Sequence, residues 1–222
     1  MKIIITGATG MVGHGVLLES LDHSSIEEVL SISRSTTGIK HPKLKELLHS
    51  DFSDFSTVKN KLEGYDACFH CMGVSSAGMS EVEYTKYTYD FSMALAKELY
   101  ALNSGMTFIY VSGQGTDSTE KGGLMWGRVK GKTENDLLKI GFKQAFMFRP
   151  GAIIPKRGVQ PKAKATRIAM NLLGWTLPIV KAISPNSITD TNKIGKAMIH
   201  CSLSGFEKTI LTPKDINRAA TL

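Results

Sequence analysis

The 222-residue sequence predicts an α/β protein, a doubly wound parallel sheet with a small C-terminal lobe. Short apolar runs alternate with stretches of helical spacing. The runs are continuous rather than alternating apolar with polar, as in strands buried on both faces. The first run ends at Gly7, where three glycines lead directly into a helical pattern.

Lys2–Thr6 reads as a buried strand and Met11–Leu21 as the helix behind it. Glu28–Ser33 is a second strand, followed by a loop rich in Ser, Thr and Gly, and a third strand precedes Asp51. Ala67–Gly73 is an apolar fourth strand. Glu81–Leu102 is helical, with Tyr84, Tyr87, Phe91, Leu95 and Leu99 in one stripe. Thr107–Ser112 is a fifth strand, and Val129–Ile140 is a helix stopped by Gly141. Ala145–Arg149 is a sixth strand closed by Pro150-Gly151. This spacing builds βαβ units, so residues 1–150 are expected to form a core around a parallel sheet covered on both faces. Beyond Gly151 the pattern loosens into the expected substrate lobe, residues 151–222. It holds a basic turn at Pro155–Gly158, a helix pair over Thr166–Ile183, a helix over Thr191–Cys201 and a late strand at Lys208–Leu211 returning to the core sheet.

Composition narrows the function classes. Apolar residues make up 42% and charged residues 21%, which excludes wholesale disorder. The net charge of +7 is unevenly placed: residues 1–150 hold 16 basic and 17 acidic side chains, and residues 151–222 hold 11 and 3. An anionic partner is therefore expected for the last third. No aromatic-interleaved basic strand or helix-turn-helix pattern points to nucleic acid. Neither Met1–Ile5 nor the broken stretch Thr166–Ile183 is long enough to span a bilayer. Three cysteines cannot form a disulfide framework, and they suggest a reducing, cytoplasmic setting. Cys68 and Cys71 have CxxC spacing, but residues three apart on a strand face opposite sides, so no metal site is expected.

Each glycine of Gly7-Ala8-Thr9-Gly10-Met11-Val12-Gly13 has a physical task. Gly7 permits a tight turn, Gly10 lets backbone approach a diphosphate, and Gly13 lets the helix pack close to the strand. The helix end offers free N–H groups and the positive end of its dipole to phosphate. Arg34 follows the second strand where NAD-binding chains carry an acid, and no acid occurs among Ser31–Ser35. A basic residue there accommodates a 2′-phosphate, so NADP is expected over NAD.

The loop Thr6–Gly13 resembles the Gly-x-x-Gly-x-x-Gly loop of extended and atypical short-chain dehydrogenases/reductases, the NAD(P)-dependent epimerase/dehydratase group within the Rossmann superfamily. The resemblance runs through most of residues 1–151 and includes Met72-Gly73, the Val-Lys-Gly around Lys130, and Arg149-Pro150-Gly151. It implies cofactor contacts at Gly7, Thr9, Gly10, Met11, Val12, Gly13, Arg34, Met72, Gly73 and Lys130. Asp51-Phe52 matches the placement of the Asp that holds the adenine amino group; the residues alone read equally well as a helix N-cap. The family's Tyr-x-x-x-Lys pair aligns with Trp126–Lys130, which keeps the lysine and loses the tyrosine. The catalytic hydroxyl aligns with Gly113, leaving neighbouring Ser112, Thr116 or Ser118 to substitute. Lys130 and Ser112 are the expected catalytic pair. The resemblance implies an oxidoreductase or epimerase on a small, anionic substrate, or a non-catalytic NADP(H) sensor, with a homodimer common among relatives.

Overall fold

The computed structural model describes residues 1–159 and 187–222, so the expected helix pair over Thr166–Ile183 lies outside the described residues. The sheet has seven parallel strands in the order β3-β2-β1-β4-β5-β6-β9. These are β1 (Lys2–Thr6), β2 (Glu28–Ser33), β3 (Leu44–Leu48), β4 (Ala67–His70), β5 (Thr107–Val111), β6 (Gln144–Phe148) and β9 (Ile210–Leu211). A separate parallel pair joins β7 (Ala152–Ile154) to β8 (Ile188–Asp190).

Strand alternation divides the core. Ile3, Ile5, Phe69 and Ile109 face one side, under α1 (Met11–Asp22) and two late helices, Thr191–Ser204 and Pro213–Ala219. Ile4, Cys68, Phe108 and Tyr110 face the other, under α3 (Phe91–Leu102) and α4 (Met125–Lys139). With α2 at Glu81–Thr85, the late helices are α5 and α6. Each fully buried Ile or Phe contributes roughly 1.5–3 kcal/mol. Cys68 and Cys71 fall on opposite sides, and all three cysteines are free thiols.

Two elements differ from the pattern read in sequence. The Glu81–Leu102 helix is interrupted by a π-helical turn, Lys86–Asp90. The wider turn shifts the phase, so Thr88 and Ser92 reach the inner face while Tyr87 and Phe91 are only half-buried. Helix α4 begins at Met125 rather than Val129 and so includes Trp126; its start has no side-chain cap to read from sequence. Side chains from residues 187–222, among them Ile194, Met198, Leu211 and Ile216, join the core on the α1 side. Gly15 and Gly195 let α1 and α5 approach closely, since an added Cβ would stand 2.9 Å from Thr191 Oγ1 or 2.8 Å from Glu19 Cβ.

After β3 the chain crosses over β2 and β1 to reach β4. The crevice beyond the carboxyl ends of β1 and β4 is such a sheet's ligand position.

Candidate functional site

The crevice begins with the glycine turn. Gly7 has φ +70°, and a Cβ there would stand 2.6 Å from the Cys71 carbonyl oxygen. Gly10 N–H donates to the Gly7 carbonyl at 2.8 Å, closing the turn. A Cβ on Gly13 would come within 2.6 Å of the Gly7 carbonyl carbon, so only glycine lets α1 start this close to the strand. Gly10 caps α1 without any side-chain bond, which leaves the first-turn N–H groups and the positive helix end for an anion.

A cavity of about 620 Å³ opens in front of this helix end. Gly10, Met11 and Val12 form one wall, and Met72 and Gly73 beyond β4 a second. Ser112–Gln114 beyond β5, with Trp126 and Lys130 of α4, face them. The fit to a dinucleotide rests on this uncapped helix end and on the glycine turn, whose shape Gly7 and Gly13 keep by leaving no Cβ against the Cys71 and Gly7 backbone.

Lys130 Nζ donates to the Ser112 carbonyl. Burial lowers its ammonium to about 8, with the carboxylate of Glu134 opposing the drop. Ser112 turns its hydroxyl away from the cavity and donates it to Glu134 Oε1. Glu134 is fully buried and receives Arg149 Nε at 3.0 Å on both oxygens, with Arg149 Nη2 pairing to Oε2. Arg149 also reaches Ser118 Oγ at 2.5 Å. Lys130, Ser112, Glu134 and Arg149 therefore form one connected assembly around the buried Glu134 carboxylate.

The loop between β5 and α4 is seated by short backbone approaches. Gly127 and Gly131, one turn apart on α4, face the Gly115 and Asp117 carbonyls. Asp117 Oδ2 accepts from Gly122 N–H at 2.6 Å and Lys121 N–H at 3.0 Å. Trp126 lies over Gly115, where a Cβ would be 2.8 Å from its ring.

Other expected residues are dispersed. Thr9 is half-buried in the glycine turn. Arg34 is exposed just past β2, beside β1 in the sheet, with no ion pair among the described residues. The loop after it is held by Glu46, which accepts from Thr36 Oγ1 at 2.7 Å and Thr37 N–H at 2.6 Å. Asp51 Oδ1 accepts from Ser53 N–H at 2.9 Å and Ser53 Oγ at 2.5 Å, the turn-capping arrangement. Phe52 is 4% exposed, with its ring among Phe55 and Phe91 in the core rather than in the cavity.

His70 is fully buried and links Thr6 Oγ1 at 2.8 Å to Ser92 Oγ at 2.9 Å. Ser92 gives its one hydroxyl proton to the Thr88 carbonyl, so His70 donates to it from Nε2. Burial lowers its pKa to about 4.

Sequence reading passed over Glu134 and Gln114. Glu134 had a signal: an acid one helical turn after Lys130, on the same face. Gln114 had none, because Gly113 at φ +151° and Gly115 at φ +96° set its position.

The family model described as "NAD dependent epimerase/dehydratase family" matches residues 3–116. Among curated proteins, the mitochondrial protein FMP52 of Candida albicans is 27% identical over 79% of this chain and 77% of its own. Among solved structures, the Bordetella bronchiseptica enzyme WbmF in complex with NAD+ superposes with a TM-score of 0.68 at 13% identity, covering 99% of this chain and 77% of that one. UDP-glucose 4-epimerase of Thermotoga maritima, with UDP-glucose, gives 0.68 at 13% identity over 100% and 82%. The fold is therefore that of the epimerase and dehydrogenase neighbours. The cytoplasmic expectation is corrected: the FMP52 relatives are named as mitochondrial proteins, and a low cysteine count excludes a disulfide framework without naming a compartment. Among the described residues no helix is long and apolar enough to cross a membrane.

Proposed function

The chain belongs to the NAD dependent epimerase/dehydratase family, and from that premise we propose that it is an oxidoreductase, or an epimerase using transient oxidation, that prefers NADP(H). The observation that carries the reading is one cavity bounded by both the uncapped end of α1 and Lys130. In this reading Gly7, Gly10 and Gly13, with the first-turn N–H groups of Met11 and Val12, hold the diphosphate. Met72 and Gly73 lie against the ribose, and Lys130 donates to its hydroxyls. Arg34 supports the NADP preference, being exposed, unpaired among the described residues and without an acid nearby in sequence. The bound nicotinamide supplies or accepts hydride. Residues 151–222 carry the basic excess, and neighbours such as the UDP-glucose 4-epimerase hold a sugar nucleotide, which supports a small anionic substrate.

Calorimetric titration with NADPH and NADH tests this. Wild type is expected to bind NADPH more tightly, and Arg34→Ser to lose that difference while keeping its NADH affinity. Tighter NADH binding by wild type would refute the NADP preference.

Trp126 at the tyrosine position and the inward hydroxyl of Ser112 favour a second reading, a non-catalytic NADP(H) sensor. Tight cofactor binding without turnover, unchanged in Trp126→Tyr, would support it.

A further inference from the structure

A chain that lacks the usual phenol still needs a proton carrier if it moves hydride to or from a carbonyl. Among the described side chains lining the cavity, two titrate, Cys71 and Lys130. Burial pushes the Cys71 thiol far above neutrality, so it neither gives nor takes a proton there. The Trp126 indole does not ionise in this range. The Ser112 hydroxyl is committed to Glu134. We propose that Lys130 is itself the acid–base group of this site, exchanging the proton at the substrate oxygen while its bond to the Ser112 carbonyl holds it in place. This rests on the reading that the cavity takes NADP(H) and a carbonyl substrate.

In reduction, hydride reaches the carbonyl carbon from the reduced nicotinamide, which is left oxidised. The C=O π electrons move onto oxygen, and that oxygen takes a proton from Lys130 Nζ. A C–H and an O–H bond form at the substrate; the donor C–H of the reduced nicotinamide, the C=O π bond and one N–H bond of Lys130 break, and Lys130 regains its proton from solvent. Oxidation runs the same steps in reverse. The environment suits both directions, because an ammonium lowered to about 8 populates both forms near neutral pH. The buried or half-buried titratable groups nearest in these elements include Glu134 on the same helix, Arg149 beyond β6 paired to it, Cys71 beyond β4, Tyr110 on β5 and Tyr84 on α2. Glu134 is the one that opposes the lowering, and its charge is already shared with Arg149.

The test uses the whole chain, NADPH, and two carbonyl probes, phenanthrenequinone and p-nitrobenzaldehyde. Cofactor binding is followed by Trp126 fluorescence in a Trp175→Phe background. For reduction, kcat/KM is expected to fall as pH rises through about 8. Lys130→Arg keeps a positive charge and donors but releases no proton. Compared with wild type at saturating NADPH, its reduction rate is expected to drop roughly 100-fold or more and its pH limb to disappear. Wild-type rate and pH profile in Lys130→Arg would overturn the proposal. Acetic anhydride labelling across pH, read at Lys130 by mass spectrometry, provides a measurement that needs no variant. Half-reactivity near 8 is expected, and an ordinary lysine titration overturns the proposal. NADPH binding without reduction of either probe overturns it and leaves the cofactor reading standing. Failure to bind NADPH removes both.

Discussion

Gly131→Ala offers a test in which local propensity and tertiary packing predict opposite signs. Gly131 lies inside α4, where replacing glycine by alanine ordinarily stabilises a helix by about 1 kcal/mol. Here the new Cβ would stand 2.5 Å from the Asp117 carbonyl carbon and closer still to its oxygen. Ordinary carbon–carbon contact is about 3.5 Å, so the loop must retreat by roughly 1 Å. It is held against that movement by Asp117 N–H on the Gly127 carbonyl at 3.0 Å and by Asn135 Nδ2 on the Ser118 carbonyl at 3.0 Å. Overpacking of this kind costs about 1–3 kcal/mol. The approach to that oxygen is the closest of any described glycine, which places the cost at about 2–3 kcal/mol. Set against the propensity gain, the expected net loss is about 1–2 kcal/mol, or a Tm lowered by roughly 2–8 °C for a chain of this size. Thermal denaturation followed by circular dichroism measures it. Gly123→Ala is the control, since nothing lies within 4 Å of its added Cβ; it is expected to stay within about 0.5 kcal/mol of wild type. A Gly131→Ala variant as stable as wild type, or more so, would refute the account of how this loop is seated.

Gly13→Ala places a Cβ 2.6 Å from the Gly7 carbonyl carbon and is expected to weaken NADPH binding at least tenfold by calorimetry, with far-UV circular dichroism retained. Glu134→Gln leaves Arg149 without its buried counter-charge, and urea denaturation is expected to show a loss of about 3 kcal/mol or more. His70 governs an acid-side dependence. Its folded pKa of about 4 lies below the ordinary 6.5, so between those values the unfolded chain holds the extra proton. Stability should be level in this respect above pH 6.5 and fall as pH drops toward 4, by up to about 3 kcal/mol. His70→Gln should flatten that fall in a series of urea titrations, and an unchanged slope would show that His70 is not its source.

Much of the fold was legible because its signals are local. Continuous apolar runs such as Lys2–Thr6 mark strands buried on both faces, and Gly7, Gly10 and Gly13 mark a turn that no side chain could occupy. Lys130 and Trp126 align four apart with the family's pair, but the helix read from sequence begins only at Val129; they share a face because α4 begins at Met125, and both line the cavity. What the sequence could not determine was where hydroxyls and charges point. Ser112 looks available in the sequence, yet its hydroxyl is turned inward by a carboxylate 22 residues away. Phe52 sits beside a plausible adenine contact, yet its ring belongs to the core. Arg149 became a structural cation only because β6 delivers it to Glu134. Backbone preference and burial pattern act over a few residues and can be read along the chain. Pairing of buried polar groups depends on distances between strands and helices far apart in sequence, and that only the tertiary structure decides.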